Sequence, residues 1–276
     1  MKRLLFISLI STLFFSPVFF AHAAEPIRVL LAPGHDNRIW GAQYGNVKEA
    51  AMNLAVASRV FKILDKDERF EVFITRDTAG YTPEFADYLS IQKDEIVSFR
   101  ENAKEIFLNL INDGLLLEKE NVPHNSASEE VSVVLYGINK WANENDIDAV
   151  IHMHFNDYNR KNRWEIGKYT GFAVYLPEEQ MANADASLLL AVNIFVQLNK
   201  KYTASTYEKE QGGIIPSQKL IALGSNGTLL PTVRSVLIEY GYVYEKIFRN
   251  YTTRHRAYDD MAGLTAAGIK EYFLMK

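Results

Sequence analysis

The stretch Ile27-Arg28-Val29-Leu30-Leu31-Ala32-Pro33-Gly34-His35 decides the fold. Ile27–Ala32 is a nearly unbroken apolar run rather than an alternating one, the mark of a strand covered on both faces in a parallel sheet. Pro33-Gly34 stops the run, so His35 stands just past the carboxyl end of that strand. Downstream, 47–64 carries Leu54, Ala57, Phe61 and Leu64 at helical spacing, and Phe70–Thr75 (FEVFIT) reads as a second strand. Ala149–Phe155 (AVIHMHF), Gly171–Leu176 (GFAVYL) and Ser235–Tyr240 (SVLIEY) are further strands, and helices fill Ala184–Lys200 and Ala257–Phe273. This alternation predicts an α/β fold: a single twisted, mostly parallel sheet with helices on both faces.

Thr78–Ile147 departs from the pattern. It holds two helices, about Asp87–Asn112 and Glu129–Asn145, joined by the polar loop Glu118–Glu130. That connection exceeds an ordinary crossover, so a helical insert over about 78–147 is expected. The loop Tyr158–Tyr169 is basic and aromatic. Its segment Asn159–Lys168, with Trp164 among cations, has two readings: a surface that rests on glycan or anionic material, and a solvated loop.

The 276 residues are 48% hydrophobic, which excludes long disorder and fibrous classes. Lys+Arg number 30 against 34 Asp+Glu, a net charge of −4, so there is no basic excess to bind nucleic acid. At the start, Lys2-Arg3 precede an apolar run, Leu4–Phe20, which ends in Ala21-His22-Ala23-Ala24. A positive start, an apolar middle and an Ala-x-Ala end predict a signal peptide over 1–23, leaving a catalytic domain over 24–276 and no stable membrane anchor after cleavage. The expected destination is the periplasm, the cell wall or the medium. With no cysteine, disulfides and thiolate metal sites are excluded, so core packing or a metal must hold the exported chain.

Ligands of open α/β sheets bind outside the carboxyl ends of the strands. His35, His154 and Glu239 all fall at such ends, and Glu49 joins them from the first turn of the first helix, on the inward face shared with Val56 and Val60. Two His and one Glu, with a fourth position for water, make the composition of a catalytic zinc site, and a second Glu can serve as general base. His152 shares the face of His154, about 7 Å away on a strand. It stands as an alternative ligand or as a residue that orients the site from one step deeper. His124 and His255 read as surface histidines.

Together these residues resemble the zinc-dependent N-acetylmuramoyl-L-alanine amidases, the type-3 cell-wall amidases. The matching elements are Pro33-Gly34-His35, Gly41-Ala42 and Glu49, the last 49 − 35 = 14 residues after the His. Thr75-Arg76-Asp77, Ala142-Asn143, His152-Met153-His154-Phe155-Asn156, Ile238-Glu239-Tyr240-Gly241-Tyr242 and the closing Ala266–Phe273 also follow the family's order. The resemblance selects His154 over His152 as ligand. It implies Zn²⁺ on His35, Glu49 and His154, Glu239 as general base, and peptidoglycan as substrate, cut at the amide between N-acetylmuramic acid and L-alanine. For Asn156 it implies a role in orienting a ligand or donating to substrate.

Departures stand at Asp36-Asn37, where the family has Gly-Gly, and near Glu245, where it has Asn. The alternatives are a zinc peptidase acting on the stem peptide and a non-catalytic peptidoglycan-binding regulator. The insert has two readings as well: a cover over the site that an activator protein moves, and a packed structural elaboration.

Overall fold

The computed structural model describes residues 25–119 and 127–274; the expected signal peptide and His124 lie outside them. In chain order the elements are β1 (Ile27–Pro33), the short strands β2 (Gln43–Tyr44) and β3 (Val47–Lys48), α1 (Glu49–Leu64), β4 (Phe70–Ile74), α2 (Pro83–Ile91), α3 (Lys93–Asn112), α4 (Glu129–Glu144), β5 (Ala149–Asn156), β6 (Ala173–Pro177), α5 (Ala184–Asn199), β7 (Ile214–Ser217), β8 (Arg234–Tyr242), α6 (Lys246–Arg249) and α7 (Tyr251–Leu274). No described helix is long and apolar enough to cross a membrane.

Six strands form one sheet in the order β4-β1-β5-β8-β6-β7. β4, β1, β5 and β8 run parallel, whereas β6 pairs antiparallel with β8 and parallel with β7. The sheet is therefore mostly parallel, with its last two strands reversed. One face carries Val29, Leu31, Ile151, Met153, Val174, Val236 and Ile238, which form the main core with α1, α5 and α7. The opposite face carries Leu30 and Val150 beneath Phe85, Ile138 and Trp141 of α2 and α4. His152, His154, Leu237 and Glu239 share that second face because strand side chains alternate.

Several element limits differ from the pattern reading. Val47-Lys48 pair with Gln43-Tyr44 as a hairpin, so the first helix starts at Glu49. The apolar rhythm over 87–112 breaks at Gln92, whose backbone leaves helical geometry (ψ 11°) and separates α2 from α3. Within 78–147, α4 also covers the sheet between β4 and β5, as a crossover helix must. Ser128 caps it by accepting from Val131 N (3.4 Å).

Candidate metal centre

Ending β1 at Pro33 sends the chain across the tip of β5. Gly34 is needed there, since a Cβ would lie 2.1 Å from the His154 ring. His35 then adopts φ +62°, rare for a residue with a side chain. Asp36 secures this turn by accepting from Arg38 N and Ile39 N, both at 2.7 Å, so the acidic departure caps a loop. Gly41, at φ +70°, brings the returning chain against Glu49.

Glu49 lies at the centre of the cluster. Its Oε2 is 3.1 Å from His35 Nε2 and its Oε1 is 3.0 Å from His154 Nδ1. One ligand atom from each of the three residues lies within 4.8 Å of the others. Ala42 N donates to Oε2 at 2.8 Å, and Phe155 N and Asn53 Nδ2 both donate to Oε1 at 3.3 Å. Burial favours the neutral acid, but the hydrogen bonds and charges of His154 and His35 outweigh it and hold the carboxyl well below its usual range. The same contact raises the His35 pKa against the opposing effect of burial.

Gly41→Ala is expected to disrupt the cluster. The added Cβ would lie 2.3 Å from Glu49 Oε2 and 2.4 Å from the His35 ring. Its left-handed backbone costs about 1–2 kcal/mol more in any residue with a Cβ. Calorimetric titration with a divalent metal should register weaker binding than in wild type, and urea titration a less stable fold; wild-type values for both would contradict the packing.

Glu239 sits on β8 in register with His154. It is buried, its Oε2 has no hydrogen-bond partner, and burial together with the charges of Glu49 and Glu210 raises its pKa well above the usual value. Glu210 is a residue that pattern reading missed. It comes from the 3₁₀ turn Glu208–Glu210 and accepts from Asn156 Nδ2 (2.9 Å), Tyr175 OH (2.7 Å) and Tyr242 OH (3.2 Å). Asn156 thus spends its amide on Glu210, while its Oδ1 accepts from Asp157 N. Glu210 lies in the polar run Tyr207-Glu208-Lys209-Glu210-Gln211, where nothing separates it from the exposed Glu208.

Arg76, which the sequence offers only as part of Thr75-Arg76-Asp77, is a second anchor: its buried guanidinium donates to the carbonyls of Pro33 (3.0 Å), Gly34 (2.9 Å) and Ala50 (2.7 Å). It ties the loop before His35 to the first turn of α1. At the Glu245 departure, a carboxylate oxygen accepts from Gly171 N and Tyr242 N, at 2.9 and 2.8 Å.

The donor set fits a zinc ion. Imidazole nitrogen and carboxylate oxygen are zinc's ordinary ligands. Three buried carboxyls, Glu49, Glu210 and Glu239, lie close enough for two of them to act electrostatically on the third. The unpartnered Glu239 Oε2 is costly among them without a cation.

A cavity of about 620 Å³ opens from the cluster beneath α4, lined by His35, His154, Glu239, Val134, Ile138 and Leu237 among others. Arg38 forms an ion pair with Glu130 of α4 across one side. His152 lies on the cavity floor, 1% exposed, with Nε2 unpartnered.

Burial, with His154 beside it, lowers the His152 pKa to about 3 from 6.5. A base depressed in this way contributes its full stability above pH 6.5 and loses it as pH falls towards 3. Urea titrations of the metal-free protein should therefore show wild type losing about 3 kcal/mol more than His152→Ser between pH 7 and 4. Parallel curves would mean that His152 takes up its proton in the folded state.

Residues 29–271 match the family model described as N-acetylmuramoyl-L-alanine amidase. Among curated proteins, none matches the chain at the sequence level. The fold is similar to that of the CwlD amidase from Clostridioides difficile, solved in complex with the GerS lipoprotein (TM-score 0.57, 15% identity, 91% of this chain and 100% of that one). It is also similar to Ami1 from Mycobacterium smegmatis (TM-score 0.57, 16% identity, 91% and 99%). The catalytic domain of CwlV from Bacillus (Paenibacillus) polymyxa var. colistinus resembles it too (TM-score 0.55, 18% identity, 91% and 99%).

Proposed function

Because this chain belongs to the N-acetylmuramoyl-L-alanine amidase family, we propose that it is a zinc-dependent hydrolase cutting the amide between the lactyl group of N-acetylmuramic acid and L-alanine in peptidoglycan. The observation that carries this reading is the Glu49-centred cluster with Glu239 beside it, at one edge of the sheet and open to one cavity.

His35, Glu49 and His154 would hold the metal. A bound zinc ion supplies Lewis-acid polarisation of the amide carbonyl and makes water acidic enough to attack at neutral pH. Glu239 takes the proton of the attacking water and returns it to the departing amine of L-alanine. Its buried position beside Glu49 and Glu210 suits both roles, because a carboxylate that is costly to leave charged accepts a proton readily. Glu49, fixed through both its oxygens, keeps the two imidazoles in place. Glu210 and Asn156 brace the strand ends on either side of Glu239, and His152, neutral near pH 7, backs the cavity floor.

Residues 1–23 act in this reading as an export signal for a catalytic domain over 24–276, delivering it to the periplasm, cell wall or medium. The insert's α4 walls the cavity and is tied to the loop after His35 by Arg38 and Glu130. The CwlD–GerS complex supplies a precedent for a partner protein, and α4 is the place where an activator would act.

N-terminal labelling of digested peptidoglycan tests the cleavage point. New L-alanine amino termini support the amidase. New termini within the stem identify a stem peptidase instead, and unchanged peptidoglycan a non-catalytic regulator.

A further inference from the structure

The loop 158–169 leaves β5 beside the centre and is built around a buried arginine. The Arg160 side chain is 5% exposed. Its Nε and Nη2 donate to the two oxygens of Asp157, both at 2.6 Å; Nη2 also donates to Gln43 O (2.7 Å), and Nη1 to Glu165 O (3.2 Å). The guanidinium stacks on Tyr244, 5.2 Å from the ring centre. Gly45 N donates to Arg163 O at 2.9 Å, and Trp164 N donates to Asn162 Oδ1 at 2.9 Å. These bonds fix the loop to the β2–β3 hairpin.

Held in this frame is an indole turned to water. Trp164 is 58% exposed, yet its ring lies against Gly45, where a Cβ would come within 2.6 Å, and meets Tyr44 edge-on at 6.2 Å. Trp40, 40% exposed, precedes the β2–β3 hairpin, with the Lys48 ammonium 3.6 Å from its ring centre. A large apolar ring held rigid and exposed is a recognition feature, because little side-chain entropy remains to be lost on binding. The platform continues into the cavity: Asp157 and Ala42 line it, and Arg160 joins Asp157 to Gln43, the neighbour of Ala42.

We propose that Trp164, backed by Gly45 and Tyr44, is a sugar-binding platform that seats a pyranose ring of the β-1,4-linked N-acetylated glycan beside the catalytic cavity. This rests on the peptidoglycan reading above. The flat C–H face of a pyranose matches an indole, whereas the loop's positive charge is smaller than its sequence suggests. Arg160 is committed to Asp157, and Lys168 pairs with Glu208 at 3.0 Å. That favours glycan over an anionic surface.

The test has a binding arm and a catalytic arm, both on the mature chain. Tetra-N-acetylchitotetraose, titrated against metal-free protein by calorimetry, binds wild type. Trp164→Ala weakens it about tenfold, and Trp164→Tyr restores most of the affinity. With zinc, Trp164→Ala raises KM for intact glycan strands and lowers the kcat/KM preference for strands over a free muramyl peptide about tenfold. Equal affinity and equal preference in wild type and Trp164→Ala, both proteins folded, overturn the platform while leaving the amidase standing. Glycan binding lost with Trp164 in a protein that cleaves nothing keeps the platform and overturns the catalytic reading. Retention on anionic vesicles that depends on Lys161 and Arg163, without oligosaccharide binding, assigns the loop to an anionic surface and overturns the proposal.

Discussion

Glu239→Gln lowers kcat for stem-peptide release by about 10²–10⁴-fold while zinc binding persists, the range expected when a general acid–base is removed. The substitution keeps the size of the side chain and removes only its capacity to carry a proton. The proposed ligands His35, Glu49 and His154 are untouched, so metal titration should give wild-type stoichiometry. Glu239 is also an electrostatic liability to the fold: it is buried, one oxygen is unpartnered, and Glu49 and Glu210 act on it with like charge. Replacing it with a neutral amide should therefore leave stability equal or higher, as expected where a site holds groups that folding alone would not select. A variant that loses activity by unfolding would contradict this, and so would a variant with wild-type kcat.

Glu49→Ala removes the residue on which the cluster is organised. Two imidazoles lose their common acceptor, and the N–H groups of Ala42 and Phe155 lose theirs. Breaking a buried pair costs about 3–5 kcal/mol, and the lower end applies here because an imidazole can shed its proton. Zinc affinity should fall by more than the roughly 10–100-fold typical of losing a ligand's supporting partner, because Glu49 is itself one of the proposed ligands. Calorimetric zinc titration and urea denaturation read the two effects separately. Undiminished affinity would remove Glu49 from the ligand set.

The parts of this molecule legible in sequence are those where local chemistry and position coincide. The run Ile27–Ala32 closed by Pro33-Gly34 announces a buried strand and places His35 at its tip. The alternation of β5 places His152 and His154 on one face, and Glu239 lies towards the end of a strand too apolar to be exposed. Glu49 emerges from helical phase, two and three turns ahead of nothing more distinctive than Val56 and Val60, and the cluster it forms with His35 and His154 depends on Gly34 and Gly41 allowing two loops to approach.

What was not legible depends on tertiary partners. β7, Ile214–Ser217, is short and contains Pro216, and it becomes a strand only because it pairs with β6 at the sheet edge. The reversal of β6 and β7 follows from the chain's path, which residue periodicity does not encode. Glu210 and Arg160 lie in polar segments that look solvated. One is buried by three donors from the sheet and the other by Asp157 and the Gln43 carbonyl of the hairpin. Arg76 reads as part of a motif, but its role comes from three backbone carbonyls supplied by distant segments.

The most direct measurement combines metal titration with hydrolysis of a single defined substrate, N-acetylmuramoyl-L-alanyl-D-isoglutamine, followed by mass spectrometry. The metal-free protein should cleave nothing. One equivalent of zinc should restore cleavage, yielding N-acetylmuramic acid and L-alanyl-D-isoglutamine, and Glu239→Gln with the same bound zinc should stay silent. Cleavage unaffected by removal of the metal, or products cut between L-alanine and D-isoglutamine, would contradict the zinc-dependent amidase reading.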